Sequence, residues 1–467
     1  MSDVERLAAA CLSPSFPGYD APDWILRRLE RGLGGITLFA YNVRDPGQLA
    51  ALTARLRGAA EVLVSIDEEG GDVTRLEAEL GSSYPGNFAL GMVDDPALTT
   101  EVAAAIAGQL AAAGVNMNLA PVADANTNPL NPVIGVRSFG ADPELVARHV
   151  AAFVAGTQRQ GVAACAKHFP GHGDTSVDSH VDLPAVDGDL EAALRPFRAA
   201  IEAGVRAVMT GHLLVPALDD LPATLSPRIV TGLLRRELGF DGLVVTDALE
   251  MRAISAGVGV EEGAVRALAA GADSLCLGHD LHEGPVEAVV DAIVAAVNSG
   301  RLPLDRLEEA AERVAGTARW ASRPSAQGAP GREVGVEAAR RALRAHGEPV
   351  LSDPPLVVEL VPAANVAAGE HEHGLAGLWP GAIGVRVTGP VADPGELVAE
   401  HADRGLVVVL RDAARHEWQA ALARDLVGLR PDAVLVETGL PGGLAVTIET
   451  GGAGRANLEA AYAALGG

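Results

Sequence analysis

The densest set of reactive side chains lies in residues 167–184, KHFPGHGDTSVDSHVDLP, which hold three histidines, three aspartates and Lys167. The segment is too polar and too broken by Gly and Pro for a helix. It follows a short apolar run, residues 161–166, that reads as a buried strand. A titratable loop at a strand end is where barrel enzymes place their chemistry. Within it, Asp178 stands two residues before His180, so a folded loop could let the carboxylate fix the ring's tautomer and tune a proton donor for work near neutral pH. The alternative is a solvated loop whose Asp and His cap turns; Lys167, His168 and His172 alongside favour the chemical reading.

Other titratable groups also follow apolar runs. Asp67-Glu68-Glu69-Gly70-Gly71 comes after residues 61–66, with Arg75 close behind; Asp124 and a polar loop to Arg137 follow residues 116–121; His212 follows 207–210, and Asp247 ends VVTD. Each has a structural alternative. The acids 67–69 suit a helix first turn, Asp124 an Asx-turn, Arg137 the surface, and His212 a satisfied strand end. Asp247, directly after a buried run, either points into a barrel mouth or caps a helix.

The elements that must position these groups alternate. Apolar runs at 9–13, 35–40, 61–66, 116–121, 162–167, 207–210, 243–246 and 274–278 are separated by Ala/Leu-rich helical stretches such as 96–113, 143–160, 189–203 and 260–270. That rhythm predicts a (β/α)8 barrel over residues 1–321 with its chemistry at the C-terminal strand ends. No G-x-G-x-x-G opens a helix after the first strand, which gives a dinucleotide fold no support. A helix over 304–320 closes the barrel, and the stretch SRPSAQGAPGR, 322–332, reads as the start of a linker running to 350, with one helix at 334–345. Runs at 356–360, 382–387, 406–410 and 433–437, alternating with helical stretches such as 416–429, predict a small α/β sandwich over 351–467.

Together the strand-end residues give an acid, Asp247, opposite a His–Asp loop, ringed by Asp67, Arg75, Arg137, Lys167 and His168. Glycosidic cleavage needs a nucleophile beneath the anomeric carbon and an acid at the leaving oxygen, and the polar ring suits a hydroxyl-rich sugar. The segments KHFPGHGDTSVDSHVDLP, IDEEGGDVTRL, NPVIGVRSFG and TDALEM, in this order, resemble glycoside hydrolase family 3, in its bacterial β-N-acetylglucosaminidase (β-N-acetylhexosaminidase) branch. The resemblance covers the barrel; the last third is similar to the shortened α/β sandwich of some members. It implies that Asp247 is the nucleophile of a covalent glycosyl-enzyme, that His180 is the general acid/base assisted by Asp178, and that Asp67, Arg75, Arg137, Lys167 and His168 bind a terminal N-acetylglucosamine. It further implies hydrolysis with retention, no metal, no cofactor, and a role in muropeptide recycling or chito-oligosaccharide breakdown. Asp72, where many relatives carry a basic residue, and Val136, where an acid is frequent, depart from the pattern and are placed near the sugar pocket. An imidazole acid/base leaves the site less anionic than a second carboxylate would, so phosphate is repelled less and phosphorolysis is an alternative outcome.

Composition narrows the class. A formal charge of −25 argues against nucleic acid or an anionic membrane surface as partner. The three cysteines, each inside an apolar run, suit buried free thiols in a reducing cytoplasm. LAAAC near the N-terminus superficially matches a lipoprotein cleavage box, but Asp3 and Glu5 stand where basic residues belong. Two rivals remain: a metal-dependent barrel hydrolase using His168, His172, Asp174, Asp178 and His180 as ligands, and a sugar-binding protein without the reaction. The oligomeric state is left open.

Overall fold

The computed structural model describes residues 2–177, 183–186, 188–278, 281–323, 328–347, 351, 354–363, 369 and 373–466. Asp178 and His180 lie outside the described residues. The chain folds as a mixed α/β protein around a curled parallel sheet. Its strands are β1 (Leu12–Ser13), β2 (Gly35–Leu38), β3 (Leu63–Ile66), β4 (Met117–Asn118), β5 (Ala163–Phe169), β6 (Ala207–Thr210), β7 (Leu243–Thr246) and β8 (Leu275–Cys276). β2 to β7 pair in sequential order, all parallel, and β1 pairs parallel with β8. Hydrogen bonds run on from Thr246 N to Ser274 O (2.9 Å), Leu275 N to Cys11 O (2.7 Å) and Thr37 N to Pro14 O (3.1 Å).

All eight apolar runs contain a strand, although the first, fourth and eighth are shorter than expected. Ala9 and Ala10 end a helix, Asp3–Ala10, capped at Ser2 by a reciprocal bond with Glu5. The expected helices appear as Pro96–Ala112, Pro143–Arg159, Leu190–Glu202, Val260–Ala270 and Leu304–Ala321. Asp95, Asp142 and Asp189 cap the first three through side-chain bonds to the first-turn amides.

The strands' two-residue period decides which side chains meet inside the curl. Leu63, Ala163, Ala207 and Leu243 form one interior cluster with Cys165, Met209 and Val245, and Val314 and Ala318 of helix Leu304–Ala321 pack against it. The intervening residues Val64, Ile66, Ala164, Ala166, Val208 and Val244 belong to the outer core against the helices. Continuing the inward series 63-65, 163-165 and 243-245 by one step reaches Asp67, Lys167 and Asp247.

A second six-stranded sheet follows, in the order β11-β10-β12-β13-β14-β9: β9 (Arg344–Ala345), β10 (Leu356–Leu360), β11 (Ile383–Val387), β12 (Leu406–Leu410), β13 (Val434–Glu437) and β14 (Ile448–Glu449). Alternate residues again divide two faces. Leu356, Val358 and Leu360 join Leu422, Ala423 and Leu426 of helix Glu417–Leu429. Val357, Val407 and Val436 join Leu458, Ala461 and Leu465 on the other side. The helix expected at 334–345 ends at Ala342, because Arg344–Ala345 turn to pair antiparallel with β14. Among the described residues no helix is long and apolar enough to cross a membrane, and the three cysteines are buried and free.

Candidate active site

Beyond β3 the chain stays extended and doubles back through two left-handed glycines, Gly70 and Gly71. Glu69 N donates to Val73 O (3.0 Å) and Val73 N to Gly70 O (3.2 Å). Asn118 of β4 grips this segment from beside it: its amide accepts from Glu68 N at 3.1 Å and donates to Glu68 O at 2.8 Å. The alternation continues, so Asp67 and Glu69 face Lys167 while Glu68 turns away. The Glu68 carboxylate accepts from the amides of Arg75 (2.8 Å) and Leu76 (3.0 Å), closing the loop, and burial pushes its pKa up to about 7. No helix starts at 67–69; the next begins at Asn87, so the charge-patch alternative for these acids does not apply.

Lys167 is 2% exposed at its side chain and bonds Asp67 and, at 2.8 Å, Glu69. Arg137 forks onto the same Glu69 carboxylate with Nε at 3.0 Å and Nη2 at 2.8 Å, a charge-assisted bidentate pair. Burial opposes ionisation of all three, but the opposite charges outweigh it. Glu69 is held well below the usual carboxylate range, and Lys167 and Arg137 are held above theirs. Arg137 is therefore a buried member of the site and not a surface arginine.

Asp124 is fully buried and is not an Asx-turn residue. Its carboxylate accepts from His168 Nδ1 (2.8 Å), from His168 N, and from His172 N (2.7 Å). His172 Nδ1 meets Thr175 Oγ1 at 2.6 Å. Burial, with the neighbouring His168 next in importance, brings the His172 pKa down to about 4, so the ring stands neutral at working pH. His212 is satisfied by Thr224 Oγ1 (2.8 Å) and the Ala248 carbonyl (3.0 Å). Among the described residues no three His, Cys, Asp or Glu side chains come together as a metal site.

The His172 ring has a consequence for stability. Its folded pKa lies below the ordinary 6.5, so between about pH 6.5 and 4 the unfolded chain binds more protons and stability falls with acidification. His172→Asn is expected to flatten the decline of the urea midpoint over that window. A variant as acid-sensitive as the parent would show the decline to come from elsewhere.

These groups line a cavity of about 370 Å3 at the C-terminal ends of the first sheet, within the range of small-molecule sites. Asp67, Glu69, Arg75, Arg137, Lys167 and His168 line it together. Asp247 lies on its wall beside Ala248, Glu250, Met251 and Arg252. The Asp247 amide donates to Thr210 O (3.1 Å) and its own Oδ1 accepts from Ala248 N (2.8 Å), so backbone on both sides fixes its direction; the helix it was weighed as capping does not begin until Arg252. The described members of the sequence-derived set thus share one cavity.

From the sequence, Glu69 and Asp124 count among the strand-end groups but receive no place in the site, and Glu250 and Arg252, which line the cavity, are not singled out. Glu69 was recoverable, being two residues beyond Asp67 on the same extended stretch. Asp124 depends on β4 and β5 being neighbours, which no local pattern encodes. Asp72 and Val136, expected near the sugar pocket, do not line it. They border a small cleft beside it, which shares Glu69 and Arg137 with the main cavity and is closed by Gly451 and Gly452 of the second sheet's loops.

Residues 23–317 match the Glycosyl hydrolase family 3 N terminal domain. The chain is 42% identical over 250 residues, 48% of its length, to the beta-hexosaminidase A of Pseudoalteromonas piscicida, but spans only 42% of that relative. It is 41% identical over 261 residues to the beta-hexosaminidase of Thiobacillus denitrificans, covering 53% of this chain and 72% of the relative. The structure of a glycoside hydrolase family 3 beta-N-acetylglucosaminidase from Paenibacillus sp. superposes with a TM-score of 0.86 at 36% identity, over 100% of this chain and 97% of that one.

Proposed function

Because the chain belongs to glycosyl hydrolase family 3, we propose that its cavity removes terminal β-linked N-acetylglucosamine from muropeptides or chito-oligosaccharides, with retention of configuration. The observation that carries this is Asp247 on the wall of the cavity that also holds Asp67, Arg75, Arg137, Lys167 and His168. Asp247 attacks the anomeric carbon and forms a glycosyl ester while a general acid protonates the departing oxygen; the same group, now a base, then activates the water that releases the sugar. His180 is assigned that acid/base role and Asp178 the task of orienting it, on the grounds given by their spacing and family resemblance. Asp67 and Arg75 bind sugar hydroxyls, and the buried charges of Glu69, Arg137 and Lys167 hold the subsite rigid. The eight strands are read as staves of a (β/α)8 barrel over residues 1–321, supported by the hydrogen bonds that join β7 to β8, β8 to β1 and β1 to β2. Residues 351–467 are read as a small α/β sandwich domain, and free buried thiols support a cytoplasmic setting.

A panel of p-nitrophenyl glycosides tests the sugar class. The N-acetylglucosaminide is expected to be cleaved with a kcat/KM at least about 100-fold above the glucoside, since a site built to hydrogen-bond an acetamido group is left with unpaired polar atoms when it is missing. Equal rates would overturn the assignment. Adding phosphate separates hydrolysis from phosphorolysis: hydrolysis predicts no acceleration and no sugar phosphate.

A further inference from the structure

The second sheet does not stand apart from the cavity. Two arginines that follow β12 reach back to the two loops that build the sugar side. Arg411 Nη2 pairs with Asp72 at 2.7 Å, where the Asp72 side chain is 3% exposed and that of Arg411 21%. Asp72 also accepts from Ala453 N at 2.8 Å. Asp72 sits inside the loop that presents Asp67, Glu69 and Arg75. Four residues on, Arg415 Nη2 donates to Pro132 O at 3.4 Å, in the loop that presents Val133 and Arg137. Those two loops are themselves joined by the Glu69–Arg137 fork.

The packing at this junction leaves little slack. A Cβ on Gly454 would come within 2.9 Å of Gly71 Cα, and one on Gly71, whose φ is +58, within 2.6 Å of Gly86. Arg411 is anchored from its own side, since Gln419 accepts from Arg411 N (2.9 Å) and donates to Arg411 O (2.9 Å). An ion pair with its acid buried, clamped to a backbone held on both sides, has one geometry, and removing Arg411 leaves the buried Asp72 charge uncompensated. We infer that the Asp72–Arg411 pair is a positioning device by which the second sheet sets the conformation of the loop carrying Asp67, Glu69 and Arg75, and through it the sugar subsite. This rests on the cavity being the glycosidase site. It also gives a reason for an acid at position 72: it meets a cation from the second sheet and does not meet the sugar.

The test uses the full chain and three variants. Asp72→Asn keeps an acceptor for Ala453 N and removes the charge; Arg411→Gln removes the cation. Arg344→Ala is the control, because Arg344 also crosses between the two sheets' units, donating to Met92 O, but touches neither cavity loop. Two readouts are taken: hydrogen exchange of the Glu69, Gly71 and Val73 amides, and kcat/KM on p-nitrophenyl N-acetylglucosaminide. Arg411→Gln and Asp72→Asn are expected to speed exchange of those amides about tenfold and to lower kcat/KM about tenfold, chiefly by raising KM. Arg411→Lys should recover part of both, and Arg344→Ala should leave both unchanged. Unchanged loop exchange in Arg411→Gln, or equal losses in Arg344→Ala, would overturn the inference in favour of general docking. If the parent chain cleaves no glycoside, the functional reading fails and the exchange readout still decides the positioning claim.

Discussion

Asp247→Ala is expected to lower kcat by roughly 10,000-fold or more, about 5 kcal/mol of barrier, while the protein stays folded. The size follows from the proposed mechanism: if Asp247 is the nucleophile, then without its carboxylate no covalent intermediate forms, and water must meet an oxocarbenium-like transition state without its counter-charge. Folding should survive because the Asp247 N to Thr210 O bond and the β6–β7 pairing that ends at Thr246 do not use the side chain, and the side-chain bond from Ala248 N is to the adjacent residue. Turnover of p-nitrophenyl N-acetylglucosaminide and circular dichroism check the two halves. Full turnover in the variant would remove Asp247 as nucleophile.

Arg137→Met should act mainly on stability. It leaves Glu69 buried at 3% side-chain exposure with Lys167 shared between two acids, and orphaning one partner of a buried pair costs about 3–5 kcal/mol. The urea midpoint is expected to fall at unchanged m. Replacing Glu69 by leucine in the same chain should restore part of the loss, since it is the stranded charge that is expensive. The pH dependence has a definite sign. Glu69's folded pKa lies below its ordinary 4.5, so the pair's contribution is fully present above about pH 4.5 and is lost as pH falls through the folded value. The gap between parent and variant should therefore narrow in acid. An Arg137→Met protein with the parent's midpoint at pH 7 would show the fork to be stabilising nothing.

Much of the site's placement follows from a period of two. Once LVSI, AACA and LVVT are read as strands, every second residue faces inward, and Asp67, Lys167 and Asp247 are the next inward positions beyond Ser65, Cys165 and Val245. Helix limits were legible for a similar reason: Asp95 and Asp142, each before a Pro, and Asp189, two residues before Glu191, supply the cap locally. The first strand was read too long because LAAAC is apolar enough for either element, and the Ser2–Glu5 capping box tips it to helix.

Sequence by itself determined the family, through its motifs, and the places of the eight strands, because strand periodicity depends on neighbours a few residues apart. Tertiary structure alone decided the partners. It gave Glu69 to both Arg137 and Lys167, gave Asp124 to His168, and gave Asp72 to Arg411, 339 residues later. A charge's role is fixed by the nearest opposite charge after folding, and in a low-dielectric interior that neighbour is chosen by strand order and loop packing, which no local pattern carries.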